Sequence, residues 1–111
     1  MVCVWRDAGW GAQVGCGGGE RPSPRHDHSL VRHASGLVLF GGNEGGRKEL
    51  QPVNDVHLFD VRTDQWHRMP TSVAPVARAA HTAVATAAGG VCVFGGDDKD
   101  SKLSDAHVLC L

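Results

Sequence analysis

The sequence predicts an all-β fold, and three observations predict it. First, a short apolar run ending on two glycines occurs twice, as LVLFGG at residues 37–42 and VCVFGG at residues 91–96. Second, the flanking residues repeat in register with it. Arg25 and His28 match Arg78 and His81 at a shift of 53, Phe40 matches Phe94 at 54, and Asp55 matches Asp105 at 50. A repeat of about this length in a glycine-rich chain marks a repeat architecture. Third, no window carries a helical period, while short apolar runs bounded by turn residues recur throughout.

The bulk numbers fit short strands joined by turns. The chain has 111 residues, 15 glycines, 5% aromatic residues and no tyrosine, so it buries little per residue. That is room for one ordinary domain but too little for most closed repeat architectures. Eleven basic residues against twelve acidic ones give a net charge of -1. The positive field of a nucleic-acid or anionic-membrane binder is therefore missing, and a protein or small-molecule partner is expected instead. The apolar stretch at 79–94 is broken by His81, Thr82, Thr86, Gly89 and Gly90, well short of a membrane span. Cys3, Cys16, Cys92 and Cys110 form no CxxC pair, which suggests neither a zinc site nor a disulfide framework. Arg6 and Asp7 interrupt any secretion signal, so an intracellular location, cytoplasmic or nuclear, is expected.

Taken in order, residues 1–5 (MVCVW) offer a short strand, and the glycines that follow, up to Gly19, make a flexible connector. Pro22 and Pro24 stiffen the chain into an extended approach. Strands are expected at 29–32, 37–40, 56–59 and 65–68, with turns at 34–36, 41–46 and 60–64. The run at 37–40 is apolar at every position, which implies a sheet covered on both faces. A second unit repeats the pattern with strands at 81–86, 91–94 and 106–109, and Cys92 fits its strand as a small hydrophobe.

PSPRHDHS, LVLFGG, NDVHLFD and Trp66, in that order, resemble the kelch motif: Arg and His on a first strand, a double glycine closing a second, an aromatic on a third and a tryptophan on a fourth. The resemblance covers residues 22–111. It implies four-stranded antiparallel blades forming part of a β-propeller. The structural motif positions would be Arg25, His28, Gly41, Gly42, Asp55, Phe59 and Trp66, then Arg78, His81, Gly95, Gly96 and Asp105. Phe59 and Leu109 stand where the family carries Tyr, and the second unit has no fourth strand and no tryptophan. Trp10 is a better candidate than Trp5 for the tryptophan of a preceding blade. The expected division is a glycine-rich lead-in at 1–21, a complete repeat at 22–72 and an incomplete one at 73–111.

Kelch propellers usually have five to seven blades, so the chain resembles a fragment. Two apolar sheet faces would then lie in water, on the order of 10 kcal/mol of unrealised burial. That is comparable to the stability of a small domain, so the isolated chain is expected to be marginal or prone to aggregate.

Several motifs invite chemistry and fail on inspection. GGNEGGRK at 41–48 approaches a phosphate loop, but Arg47 replaces the required Lys, no Ser or Thr follows, and no helix comes next. His26 and His28 share one face of an extended chain, yet His26 becomes Ala79 in the second unit, so the repeated histidine follows the fold and not a metal. The acidic run at 97–105 lacks the glycine and glutamate of a calcium loop. Some kelch propellers are copper oxidases whose radical chemistry uses tyrosine, and this chain has none. No catalytic residue, cofactor or metal is expected.

What remains is recognition. The loops after the double glycines, 43–53 and 97–103, are long and polar and can vary without cost to a core. The resemblance implies that such loops and the arginines before them line one face of the propeller and grip a partner. The candidate partner-binding residues are Arg25, Asn43, Glu44, Arg47, Arg78, Asp97, Asp98 and Lys99. Arg25 and Arg78 admit a second reading, in which each bonds backbone and carboxylates within its own blade. The leading expectation is a non-catalytic protein-interaction module. The alternatives are a building block that self-assembles, and a truncated product with no independent role.

Overall fold

The computed structural model describes residues 18–34, 36–46, 48–71 and 73–111. The expected strand at 1–5, Trp5, Trp10, Cys3, Cys16 and the partner-contact candidate Arg47 lie outside the described residues. Eight strands follow in order: β1 Gly18–Gly19, β2 Ser29–His33, β3 Gly36–Phe40, β4 Val56–Asp60, β5 Gln65–Met69, β6 Thr82–Ala85, β7 Gly90–Phe94 and β8 Ala106–Cys110. No helix occurs among the described residues. The fold is all-β and partial, as the repeat pattern predicts.

The strands form two sheets. The first has the order β1-β5-β4-β3-β2 and the second β6-β7-β8. Strands β2 to β5 make a four-stranded antiparallel meander with Val31 opposite Val38, Val38 opposite Leu58, and Phe59 opposite Trp66. The second sheet repeats its first three strands, with Ala83 opposite Val93 and Val93 opposite His107. Two glycines of the lead-in add an unexpected element: β1 runs parallel to β5, Gly18 beside Gln65 and Gly19 beside Trp66.

The period of two along each strand sorts the side chains onto opposite faces. Val38, Phe40 and Val56 of the first sheet meet Val91 and Val93 of the second in one core, with Val31, Leu58, Met69, Ala83 and Leu109 around them. Trp66 alternates out of this core. It stacks on Phe59, ring centroids 5.0 Å apart, on the face turned away from the second sheet.

The two outer faces differ, where the sequence suggested both would be wet. On the second sheet Val84, Phe94 and Val108 are 61%, 53% and 59% exposed. On the far face of the first sheet, Leu39 and Trp66 are buried. Residues 18–22 explain part of the difference. The Glu20 N–H donates to the Trp66 carbonyl, and the Glu20 carbonyl lies 3.3 Å from His57 Nδ1, so the lead-in runs over this end of the sheet.

Candidate functional site

Each repeat is clamped by one arginine. Arg25 gives Nη1 to Asp55 Oδ1 at 2.6 Å and to the Gly41 carbonyl at 3.1 Å, and Nη2 to Asp55 Oδ2 at 3.0 Å. Arg78 repeats the set on Asp105, at 2.6 and 2.8 Å, and on the Gly95 carbonyl at 3.0 Å. The planar fork of Arg suits two carboxylate oxygens at once. These side chains are 2% and 0% exposed. They tie the double-glycine corner to the start of the third strand, each guanidinium group being engaged inside its own blade.

Histidines complete both clamps. His57 Nε2 lies 2.8 Å from Asp55 Oδ2 and His107 Nε2 lies 2.8 Å from Asp105 Oδ2. Burial alone would push the Asp55 carboxyl up, but hydrogen bonds from Arg25 and His57 outweigh it and hold it at about 2. Hydrogen bonds from Arg78 and His107 likewise hold Asp105 well below the ordinary carboxylate range.

The double glycines adopt positive φ, 67° and 97° at Gly41 and Gly42, 70° and 93° at Gly95 and Gly96. Glycine reaches this region without a steric penalty. Its role here is also contact: a Cβ on Gly41 would stand 2.7 Å from the Arg78 carbonyl oxygen and 2.9 Å from the His81 ring. His81 spans the two sheets, with Nε2 2.8 Å from Ser29 Oγ and its ring set edge-on to Phe40 at 5.2 Å. Its first-repeat counterpart, His28, is exposed. Burial, then repulsion from Arg78, lowers the pKa of His81.

The corners launch two loops held the same way. Asn43 bridges His26 and Pro52, and Asp97 bridges Ala79 and Lys102. Between them opens a cleft of about 280 Å³ lined by Asp27, Asn43, Leu50, Asp97, Lys99 and Lys102 together with Ala79 and Ala80. Asn43 is 95% buried here, yet its side-chain oxygen has no hydrogen-bond partner among the described residues. A buried acceptor without a donor is costly, so it marks a place where a donor belongs. A second cavity, about 120 Å³, lies in the seam between the sheets and is lined by core residues such as Val56, Val93 and Leu109.

The sequence candidates divide sharply. Glu44 is exposed and accepts from Ser23 Oγ at 2.5 Å. Asp97 pairs with Lys102 at 2.7 Å. Asp98 caps its own loop, accepting from the Asp100 and Ser101 backbone, which lowers its pKa. Lys99 is exposed and held at φ 87°. Leu50 and Lys102 line the same cleft and were missed, because nothing in their local sequence distinguishes them from solvated loop residues. Among the described residues, no group of three or more His, Cys, Asp or Glu could hold a metal ion, and no helix is long and apolar enough to cross a membrane.

Comparison with known proteins places this architecture. A family model described as the KLHDC2/KLHL20/DRC7 Kelch-repeats domain matches residues 10–111. The chain is 33% identical over 94 residues to Acyl-CoA-binding domain-containing protein 4 of Arabidopsis thaliana, covering 84% of this chain and 14% of that protein. It is 32% identical over 113 residues to Kelch domain-containing protein 1 of Homo sapiens, covering 84% of this chain and 28% of that protein. It is also 35% identical over 96 residues to the dynein alpha chain of the flagellar outer arm of Chlamydomonas reinhardtii, covering 82% of this chain and 2% of that protein. The chain thus spans under a third of the length of each of these relatives.

Proposed function

The chain belongs to the kelch-repeat family, and on that premise we propose that it works as a non-catalytic protein-interaction module whose binding surface is the cleft between its two corner loops. Kelch repeats are typically protein-interaction modules. Rigid sheets carrying long polar loops suit recognition, since the loops vary without disturbing the core. The observation that carries the reading is the unpartnered Asn43 oxygen, buried beside the cleft. The oxygen is shut off from solvent, so a partner segment presenting an N–H or O–H donor would gain this hydrogen bond once the Asn43 side chain turns toward the cleft. Lys99 offers a charge to an acidic or polar group on that partner, Lys102 being paired with Asp97, and Leu50 offers contact to an apolar side chain.

The arginines contribute indirectly, by fixing the corners from which the loops start. The test is affinity capture with Asn43→Ala, Leu50→Ala and Lys99→Gly, the last of which also relieves a positive φ. Loss of one captured protein with Asn43→Ala, at unchanged thermal stability, supports the cleft. Unchanged capture by all three folded variants removes it.

A further inference from the structure

The second repeat shows what the arginine clamp needs, and the first repeat carries more than that. Arg25 and Arg78 each donate from Nε to a backbone carbonyl two residues earlier, that of Ser23 at 3.3 Å and that of Val76 at 3.0 Å. Only this carbonyl is common to the two. In the first repeat Arg25 also gives Nη2 to the Ser23 hydroxyl at 3.0 Å, and that hydroxyl donates to Glu44 Oε1 at 2.5 Å. Val76 has no hydroxyl to do so, and Asp98, at the place of Glu44, accepts from its own loop instead.

The Ser23 hydroxyl is therefore a latch between the lead-in and the first corner loop. Glu44 also lies 3.6 Å from Arg25 Nη2, so serine and arginine together hold one carboxylate. Beyond Glu44 the loop carries Leu50, which lines the cleft. The base of the loop is fixed separately, by the backbone bonds of Asn43 with His26 and of Glu44 with Gln51. A change at Ser23 thus reaches the loop tip and leaves the corner in place.

The same serine has the surroundings of a phosphate acceptor. It is half-buried and outside every strand, and it stands between Pro22 and an exposed Pro24, the one step in the sequence from Ser or Thr to Pro. A residue before proline is held extended, and proline offers no N–H, which is the substrate form that proline-directed protein kinases accept. A phosphoserine there would carry about −1.5 to −2 charges beside two groups of opposite sign. Arg25 would donate to its oxygens, and Glu44, 2.5 Å from the hydroxyl oxygen, would be repelled.

We propose that Ser23 accepts a phosphoryl group from a proline-directed protein kinase, and that the phosphate unlatches the first corner loop. In the transfer Ser23 Oγ forms a bond to the γ-phosphorus of a nucleoside triphosphate, and the bond from that phosphorus to its bridging oxygen breaks. The nucleoside diphosphate leaves, and the hydroxyl proton passes to the base of the kinase. The phosphate then takes the place of the Glu44 carboxylate beside Arg25, and the loop beyond Glu44 loses its anchor. Phosphorylation thereby controls where Leu50 stands. The release is read from the loop itself, so it stands or falls apart from partner binding in the cleft.

The test treats the 111-residue chain with a proline-directed kinase and nucleoside triphosphate, locates phosphate by mass spectrometry, and follows tryptic cleavage after Lys48. Phosphate should appear on Ser23, and cleavage after Lys48 should quicken several-fold while cleavage after Arg32, in β2, keeps its rate. Kinase treatment should leave both rates unchanged in Ser23→Ala. In Glu44→Gln, which has no charge to repel, the phosphate should have little effect on the loop. A chain that takes no phosphate at Ser23 overturns the proposal. So does an unchanged rate after Lys48, or a response of Glu44→Gln equal to that of wild type. A rise after Arg32 that matches the rise after Lys48 overturns it too, since the phosphate would then loosen the whole sheet.

Discussion

Asp55 receives both terminal nitrogens of Arg25, at 2.6 and 3.0 Å, from a side chain only 2% exposed. The pair is the hinge on which the first corner is fixed, because the same guanidinium group also holds the Gly41 carbonyl. Removing the carboxylate leaves the buried guanidinium group with the Gly41 and Ser23 carbonyls, the Ser23 hydroxyl and the more distant Glu44 carboxylate at 3.6 Å. Asp55→Ala should therefore cost about 3–5 kcal/mol. Asp55→Asn keeps one accepting oxygen and should cost less. Urea denaturation midpoints of the two variants against wild type measure both, and equal losses would show that charge is not what matters.

The same carboxylate sets the acid limit of the fold. Its pKa falls from 3.8 to about 2, so the folded state releases this proton more readily than the unfolded state. For a depressed carboxyl the stabilisation is complete above the unfolded value and is lost as pH falls through the folded one. Stability should thus drop between about pH 4 and pH 2, and Asp55→Asn should flatten that part of the curve.

His81 acts with the same sign in a higher window. Its pKa lies below 6.5, chiefly through burial and then through Arg78. The unfolded chain therefore takes up this proton first as pH falls below about 6.5, and stability declines from there. Melting temperature followed from pH 8 to pH 5 should fall in wild type and stay flatter in His81→Gln, whose amide can still reach Ser29.

The double glycines separate backbone strain from contact between sheets. Gly41→Ala and Gly95→Ala both place a side chain at φ near 70°, a strain of roughly 1–2 kcal/mol. At Gly41 the new Cβ would also stand 2.7 Å from the Arg78 carbonyl oxygen, whereas at Gly95 the nearest atom is the Leu103 carbonyl oxygen at 3.4 Å. Gly41→Ala should lower the melting temperature clearly more than Gly95→Ala. Similar shifts would mean that the Gly41 corner yields without disturbing the second sheet.

How far this could be read from the sequence depends on what each residue repeats. The strands were legible because their apolar runs alternate with turn residues, and seven of the eight fall within a residue or so of expectation. The arginine clamp was legible as a pattern, since Arg25 and Asp55 recur together, but not as a destination: spacing does not say whether a guanidinium group turns inward or outward. Strand β1 was not legible, because Gly18 and Gly19 carry no side chains to show a period. The unpartnered Asn43 oxygen was equally hidden, since orphaned acceptors are a property of packing. Asp97 stands at its place in the second repeat, so repetition gave no hint either.

His57 and His107 test what a neighbour adds to an identical bond. Each ring lies 2.8 Å from its aspartate, but the His57 side chain is 6% exposed and that of His107 43%. The difference comes from the lead-in: the Glu20 carbonyl lies 3.3 Å from His57 Nδ1, and nothing described occupies the matching place beside His107. His57→Ala opens a cavity and removes one of the two donors to Asp55 Oδ2, leaving Arg25 Nη2 as the other, a loss of about 2–4 kcal/mol. His107→Ala removes a contact that water replaces, and its effect should be much smaller. Denaturation midpoints of the two variants compare them directly. If they match, the lead-in does not shield His57 in solution, and the covered far face of the first sheet would have to be revised with it.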